Sequence, residues 1–284
     1  MLVRRVIVAL VAVAALAGAA WAGASLVRSD DAAPPPPPVV QPKVLRIIFP
    51  EGFTRRDMAD RVAAVREIAI AKRGVTPRLT RAGYMSATAA ARPPAEFRED
   101  WPGDRIEGFL FPATYVFTKL TTASKLVRDQ LALFRRQWRR VNLRYARSKN
   151  LTPYDVLIIA SMVEKETVAP EERRLVAAVI YNRLRNRMTL GIDATIRYGR
   201  NVPGTESLKV SDLESDNPYN TRKRLGLPPT PISNPGLASM KAAARPAAVG
   251  YLYFVRKPDG MHHFFTASKA EFDQKSCEYG FGCG

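Results

Sequence analysis

The chain has 284 residues, 46% hydrophobic and 25% charged, enough for one sizeable core with a smaller module beside it. No self-similarity is present at solenoid periods, which excludes a repeat architecture. Lys and Arg outnumber Asp and Glu by 44 to 26, for a net charge of +18, which first suggests a polyanion partner. The basic residues, however, are spread along helical stretches (Arg135, Arg136, Arg139, Arg140; Arg173, Arg174, Arg183, Arg185, Arg187) without interleaved stacking aromatics. Nucleic acid is therefore not expected, and solvated helix faces explain most of them.

At the N-terminus, Arg4 and Arg5 precede an uncharged, mostly apolar run from Val6 to Val27, closed by Arg28, Asp30 and Asp31. As a helix that run spans about 33 Å, enough to cross a bilayer. The Arg bias sets its N-terminus in the cytoplasm and the rest of the chain outside. Ala20-Trp21-Ala22 resembles a small-x-small cleavage site, so a cleaved signal peptide is the alternative to an anchor. Pro34 to Pro38 and Pro42 then form a stiff spacer that lifts the following domain off the membrane.

Val44 to Phe49 reads as a short strand, Pro50-Glu51-Gly52 as a turn, and Thr54 as the N-cap of a helix over Arg55 to Val65 or slightly beyond. Lys72 to Glu99 carries helix fragments, and Trp101 to Phe117 mixes aromatic, Gly and Pro residues like a packed irregular segment or strand. Ala123 to Arg147 is an amphipathic helix with one break.

The next helix holds the most informative residues. Over Asp155 to Thr167, at about 100° per residue, Glu166 aligns with Ile159, Met162 and Val163 in an apolar stripe, whereas Glu164 points elsewhere. The two therefore cannot serve one substrate as a paired acid and base. A carboxyl pressed against Met, Val and Ile is poorly hydrated when charged, so its pKa rises and it can act as a general acid. The competing reading is a partly buried glutamate bonded to one of the many arginines.

A further helix starts near Pro170, with Glu171 and Glu172 suited to its positive end, and runs to about Met188. Tyr219 to Gly236 is loop, Asn234 is placed to cap a helix through Leu237 to Ala244, and Lys257-Pro258-Asp259-Gly260 joins two strands in a hairpin. Helices around a glutamate, a hairpin and long polar loops indicate an α+β domain with a groove.

Other chemistries find little support. His262 and His263 are adjacent on a strand and face opposite sides, no metal set is formed, and no cofactor is expected. Cys277 and Cys283, six apart, either close a small disulfide or remain tail thiols.

Five stretches, IEGFLFPATYVF, SMVEKETVAPEERRLVAAVIYNRL, IDATIRYG, PYNTRKRLGLPPTPISNPG and YLYFV with DGMHHFF, lie in the order in which they occur in the YceG-like endolytic murein transglycosylases, and the chain resembles that family from about Val44 to Phe272. The resemblance implies a bacterial enzyme anchored in the inner membrane by one span, with its catalytic domain outside the cytoplasm. Such enzymes cut nascent peptidoglycan strands between N-acetylmuramic acid and N-acetylglucosamine and leave 1,6-anhydro ends. It implies Glu166, the second glutamate of Glu-Lys-Glu-Thr, as the catalytic residue. Tyr219, Asn220 and Thr221 match the groove-lining loop that binds sugar, though as a turn they need no function. Glu107, Asp193 and Tyr198 are further substrate-binding candidates, with Glu107 better suited to orienting the fold and Asp193 to capping. Expected partners are glycan strands, the membrane, and peptidoglycan synthases or division proteins.

The expected organisation is thus an anchor over 1–28, a linker over 29–42, a partial LysM-like strand-turn-helix module over 43–100 and the catalytic domain over 101–284. Arg222 and Thr230 depart from the Tyr and Gly expected in the loop motif. A lysozyme-type muramidase remains the hydrolytic alternative, with Glu107, Glu172, Asp193 or Glu214 as second carboxylate, and a non-catalytic wall-binding scaffold is the other.

Overall fold

The structure, a computed structural model, describes residues 43–103 and 106–282. The span expected over 6–27, the proline spacer and Cys283 lie outside these; Cys277 is disulfide-bonded. Among the described residues no helix is long and apolar enough to cross a membrane.

Strand β1 (Leu45–Ile48) turns Ile47 into the core and leaves its neighbours outward, as the two-residue period of a strand requires. Thr54 then starts helix α1 (Arg55–Arg73) with a capping box: its hydroxyl accepts from the Asp57 N–H at 3.1 Å and its own N–H donates to the Asp57 carboxylate at 2.8 Å. The helix runs eight residues past Val65, because no breaker intervenes before Gly74, whose left-handed φ of 58° ends it. Thr80 caps helix α2 (Arg81–Ala90). Strand β2 (Thr114–Phe117) returns antiparallel to β1, with Leu45 opposite Phe117 and Ile48 opposite Thr114. The first module is therefore strand-helix-helix-strand. It closes across residue 100, so 43–100 does not stand apart from the remainder, and all described residues belong to one unit.

The helical stretch expected over Ala123 to Arg147 is broken after Trp138 into α3 (Ala123–Trp138) and the single turn α4 (Arg144–Arg147). Phe134 and Trp138 stack 5.7 Å apart, and Phe109 joins Phe97, Phe134 and Tyr154 in a buried aromatic cluster. Helix α5 (Pro153–Glu166) follows, capped by Thr152 with Asp155 and opened by Pro153. Tyr154 and every residue from Val156 to Val163 are buried. The apolar stripe read from the sequence is in fact the whole circumference, as befits a central helix.

Around α5 lie α6 (Arg173–Arg185), α7 (Asp193–Arg200), on which the single turn α8 (Val210–Leu213) packs, and α9 (Leu237–Ala244). Strands β3 (Tyr253–Arg256) and β4 (His263–Thr266) form the expected hairpin, with Arg256 opposite His263, and α10 (Lys269–Glu278) follows. The class is α+β: mostly helices, with two small antiparallel sheets.

One expectation fails in detail. Asn234 does not cap α9; Gly236 occupies that position. Asn234 is fully buried, accepting from the Leu110 N–H at 2.9 Å and donating to the Phe53 carbonyl at 2.9 Å and to Glu107 at 2.7 Å. Four such bonding sites on one amide suit it to tying three chain segments together.

Candidate active site

Glu166 is the last residue of α5, in the partly exposed final turn that follows the buried stretch Val156 to Val163. Its carboxyl meets the start of α7: the Ala194 N–H bonds to it, the Asp193 charge acts on it, and Arg256 of β3 and Lys165 supply opposing positive charge. Burial among protein atoms is the main cause that pushes its pKa up to about 7, with Asp193 the second. Near neutral pH the group can therefore hold or release a proton, and its partly exposed surface leaves it open to a ligand.

Glu164 points the other way, as the helical geometry required. Its carboxylate accepts from the Gly236 N–H at 2.9 Å and lies 3.9 Å from Arg173. The buried glutamate beside an arginine is thus Glu164, which ties α5 to the start of α9. Arg173 and Arg183 are not the solvated residues expected from their spacing. Arg173 bonds Ser239, and Arg183 donates to the carbonyls of Thr189, Leu190 and Leu252. In this way Arg183 joins the loop before α7 to the strand that carries Arg256.

Asp193 opens α7 and is paired with Arg222 at 2.8 Å, both half-exposed. The Tyr219-Asn220-Thr221 loop lies beneath this pair. Asn220 is fully buried, donates to the Leu213 and Ser215 carbonyls and accepts from the Arg222 N–H. Thr221 accepts from the Ile192 N–H at 3.0 Å and meets the Thr195 hydroxyl at 2.9 Å, so it secures the first turn of α7. The Tyr219 hydroxyl meets Thr230 at 2.7 Å, so both departures from the expected motif, Arg222 and Thr230, make bonds inside this loop. Gly199 lets the loop seat against α7: a Cβ there would fall 2.6 Å from Tyr219 Cβ.

Glu107 is buried. One oxygen accepts from the Arg55 N–H at 2.8 Å and from Asn234 at 2.7 Å, and the other accepts from the Tyr198 hydroxyl at 3.2 Å. Burial pushes its pKa up to about 7 against these three lowering bonds. The bracket joins the start of α1, the Asn234 loop and α7. Tyr198 also packs edge-on against Tyr219, 5.1 Å away. The structure thus gathers Glu166, Asp193 and Arg222 at one end of α7, with Tyr198 and Glu107 further along.

Two contributors, Arg256 and Arg183, are not legible in the sequence, and Glu172, read as a candidate second carboxylate, instead holds His263. Arg256 reaches Glu166 because its cross-strand neighbour His263 is held by Glu172, through the backbone N–H at 2.9 Å and Nδ1 at 2.7 Å. Glu172 lies only six residues after Glu166, a spacing that hints at a shared site without revealing its partner. Arg183 carries no signal beyond its charge. His262 lies on the other side, bonded to Asp259.

The sequence profile of the YceG-like family matches residues 33–278. The chain belongs to the YceG-like family. The endolytic murein transglycosylase of Streptococcus pneumoniae (strain R6) is 29% identical to it over 255 residues, 84% of this chain and 45% of that protein. That of Bacillus subtilis (strain 168) is 33% identical over 174 residues, 61% of this chain and 48% of that protein. The chain spans about half the length of these curated relatives. A crystal structure of a YceG-like protein of Listeria monocytogenes superposes with a TM-score of 0.65 at 28% identity, covering 81% of this chain and 75% of that one.

Proposed function

We propose that this YceG-like chain is an endolytic peptidoglycan lytic transglycosylase, anchored by its N-terminal span in the inner membrane of a bacterium with its catalytic domain outside the cytoplasm. The observation that carries the reading is Glu166, a carboxyl with its pKa near 7 in the partly exposed last turn of a largely buried helix, while the neighbouring Asp193 is paired with Arg222. Retaining and inverting hydrolases need two carboxylates. A transglycosylase needs one, because the substrate brings the nucleophile.

Glu166 in its protonated form gives its proton to the oxygen linking N-acetylmuramic acid to N-acetylglucosamine. It then takes the proton of the muramoyl C6 hydroxyl as that oxygen attacks C1, closing the 1,6-anhydro ring. An intramolecular hydroxyl acts at high effective concentration, so no water has to be positioned. The Ala194 N–H and Arg256 favour the charged form of Glu166 after it has given up its proton, and Asp193 favours its return. In this reading Asp193, Arg222 and Arg256 meet sugar or stem-peptide groups, and Tyr198, whose hydroxyl donates to Glu107, braces α7. Asn220, Thr221 and Glu107, whose polar atoms are engaged within the protein, act by holding α7 and the loop in position. Peptidoglycan synthases or division proteins are the partners that such an enzyme would serve.

The hydrolytic alternative has one observation in its favour, since Asp193 is a second carboxylate whose charge reaches Glu166. Mass analysis of digested purified peptidoglycan separates the two readings. Anhydro ends are expected; hydrated reducing ends alone would make the chain a muramidase. Glu166→Gln is expected to abolish cleavage at an unchanged unfolding temperature, and a variant that still cuts would remove Glu166 from the chemistry.

A further inference from the structure

Between Gln130 and Tyr154 the sequence holds seven basic residues and no acidic one. Six of the seven are arginines, Arg135, Arg136, Arg139, Arg140, Arg144 and Arg147, and all six are exposed. None of the six forms an ion pair among the described residues. The two carboxylates that flank this run are engaged elsewhere, Asp129 with Lys125 at 2.7 Å and Asp155 in capping α5 through Thr152. A solvated helix face in a folded protein normally interleaves both signs of charge, and this surface does not.

The surface also carries two open depressions. One, of about 440 Å³, is lined by Val141, Asn142, Leu143, Arg144 and Arg147. A second, of about 430 Å³, shares Asn142 and Arg144 and adds Tyr145, Ser148 and Arg245. Arg245 comes from the end of α9, about a hundred residues along the chain, and its carbonyl accepts from Arg174, which brings another guanidinium to the rim. The Tyr145 ring is backed by Tyr181 at 5.9 Å and by the Lys149 ammonium at 5.4 Å. None of these residues belongs to the Glu166 site.

We propose that these adjoining clefts form a phosphate-binding site, separate from the catalytic centre, in which Arg144, Arg147 and Arg245 grip the phosphate oxygens. Guanidinium forks match phosphate oxygens two at a time. Three arginines lining two adjoining clefts that hold no acidic residue favour a polyvalent anion over a single carboxylate. The same chemistry is offered by a soluble phosphate or pyrophosphate compound and by the headgroups of an anionic bilayer.

The test uses the full chain in neutral detergent, titrated calorimetrically with inorganic pyrophosphate, and the same chain in nanodiscs of phosphatidylcholine with or without phosphatidylglycerol. In the nanodiscs, amide exchange over 139–149 is followed. Saturable binding at one pyrophosphate per chain is expected, weakened roughly tenfold or more in Arg144→Gln/Arg147→Gln, with the unfolding temperature unchanged. The Lys72→Gln/Arg73→Gln pair at the end of α1 removes equal charge elsewhere and should leave binding intact. Slowed exchange that appears only with phosphatidylglycerol identifies the bilayer as the source, and pyrophosphate binding without it identifies a soluble phosphate compound. Absence of both effects, or equal weakening by the two double variants, overturns the proposal in favour of diffuse charge.

Discussion

Removing the Glu107 carboxylate separates a bracing role from direct work on substrate. Glu107→Ala leaves the Arg55 N–H and the Asn234 amide without their shared acceptor inside the fold. At about 1–3 kcal/mol for each stranded donor, the loss is on the order of 2–6 kcal/mol, or a fall in unfolding temperature of about 10 °C for a unit of this size. Glu107→Gln keeps the acceptor oxygen and turns its new N–H₂ toward the Tyr198 hydroxyl, so it should fold normally. It also reveals a sign. The folded state holds this carboxyl near pKa 7 instead of 4.5, so it favours the protonated form. Stability from this group is full below pH 4.5 and is lost as pH rises through 7, by about 3 kcal/mol in all. The neutral Gln variant escapes that loss. Urea unfolding of the wild type and both variants at pH 5 and pH 8 should show Glu107→Gln near wild type at pH 5 and equal or more stable at pH 8. An alanine variant within about 0.5 kcal/mol of wild type at both values would refute the bracket.

The pH profile of cleavage tests the charges around Glu166. As a general acid it must start protonated, so activity should fall as pH rises through about 7. Asp193→Asn removes a charge that raises the pKa and should move this alkaline limb down by about one pH unit, while Arg256→Gln should move it up; identical limbs in all three proteins would exclude both contacts. Gly199→Ala forces a methyl into Tyr219, 2.6 Å away. It should cost about 2–3 kcal/mol by chemical denaturation and lower kcat more than KM, through displacement of α7.

Local signals were read directly from the chain. Thr54 is legible as a cap because an Asp follows at the third position; Thr152 and Gly74 carry equally local signals, yet the sequence reading places the start of α5 at Asp155 and the end of α1 near Val65. The Pro-Asp-Gly turn specified the hairpin, and the 3.6-residue period separated Glu164 from Glu166. Each of these depends on neighbours within a few residues. The partner strand of β1 was hidden in an aromatic, glycine-rich segment, because pairing across about 70 residues, as between Arg46 and Val116, leaves no local pattern.

The sequence by itself determined the α+β class, the family and the one carboxyl on which the chemistry is proposed to depend, since helix periodicity, turn residues and motif order are properties of the chain in one dimension. Only the tertiary structure decided what surrounds that carboxyl. Burial at the end of α5 sets the proton affinity of Glu166, and Asp193 and Arg256 reach it from elements 27 and 90 residues away. It also decided that Asn220, Thr221 and Glu107 spend their hydrogen bonds inside the protein. Electrostatic environment and hydrogen-bond satisfaction depend on distances across the fold, and a linear pattern does not encode them.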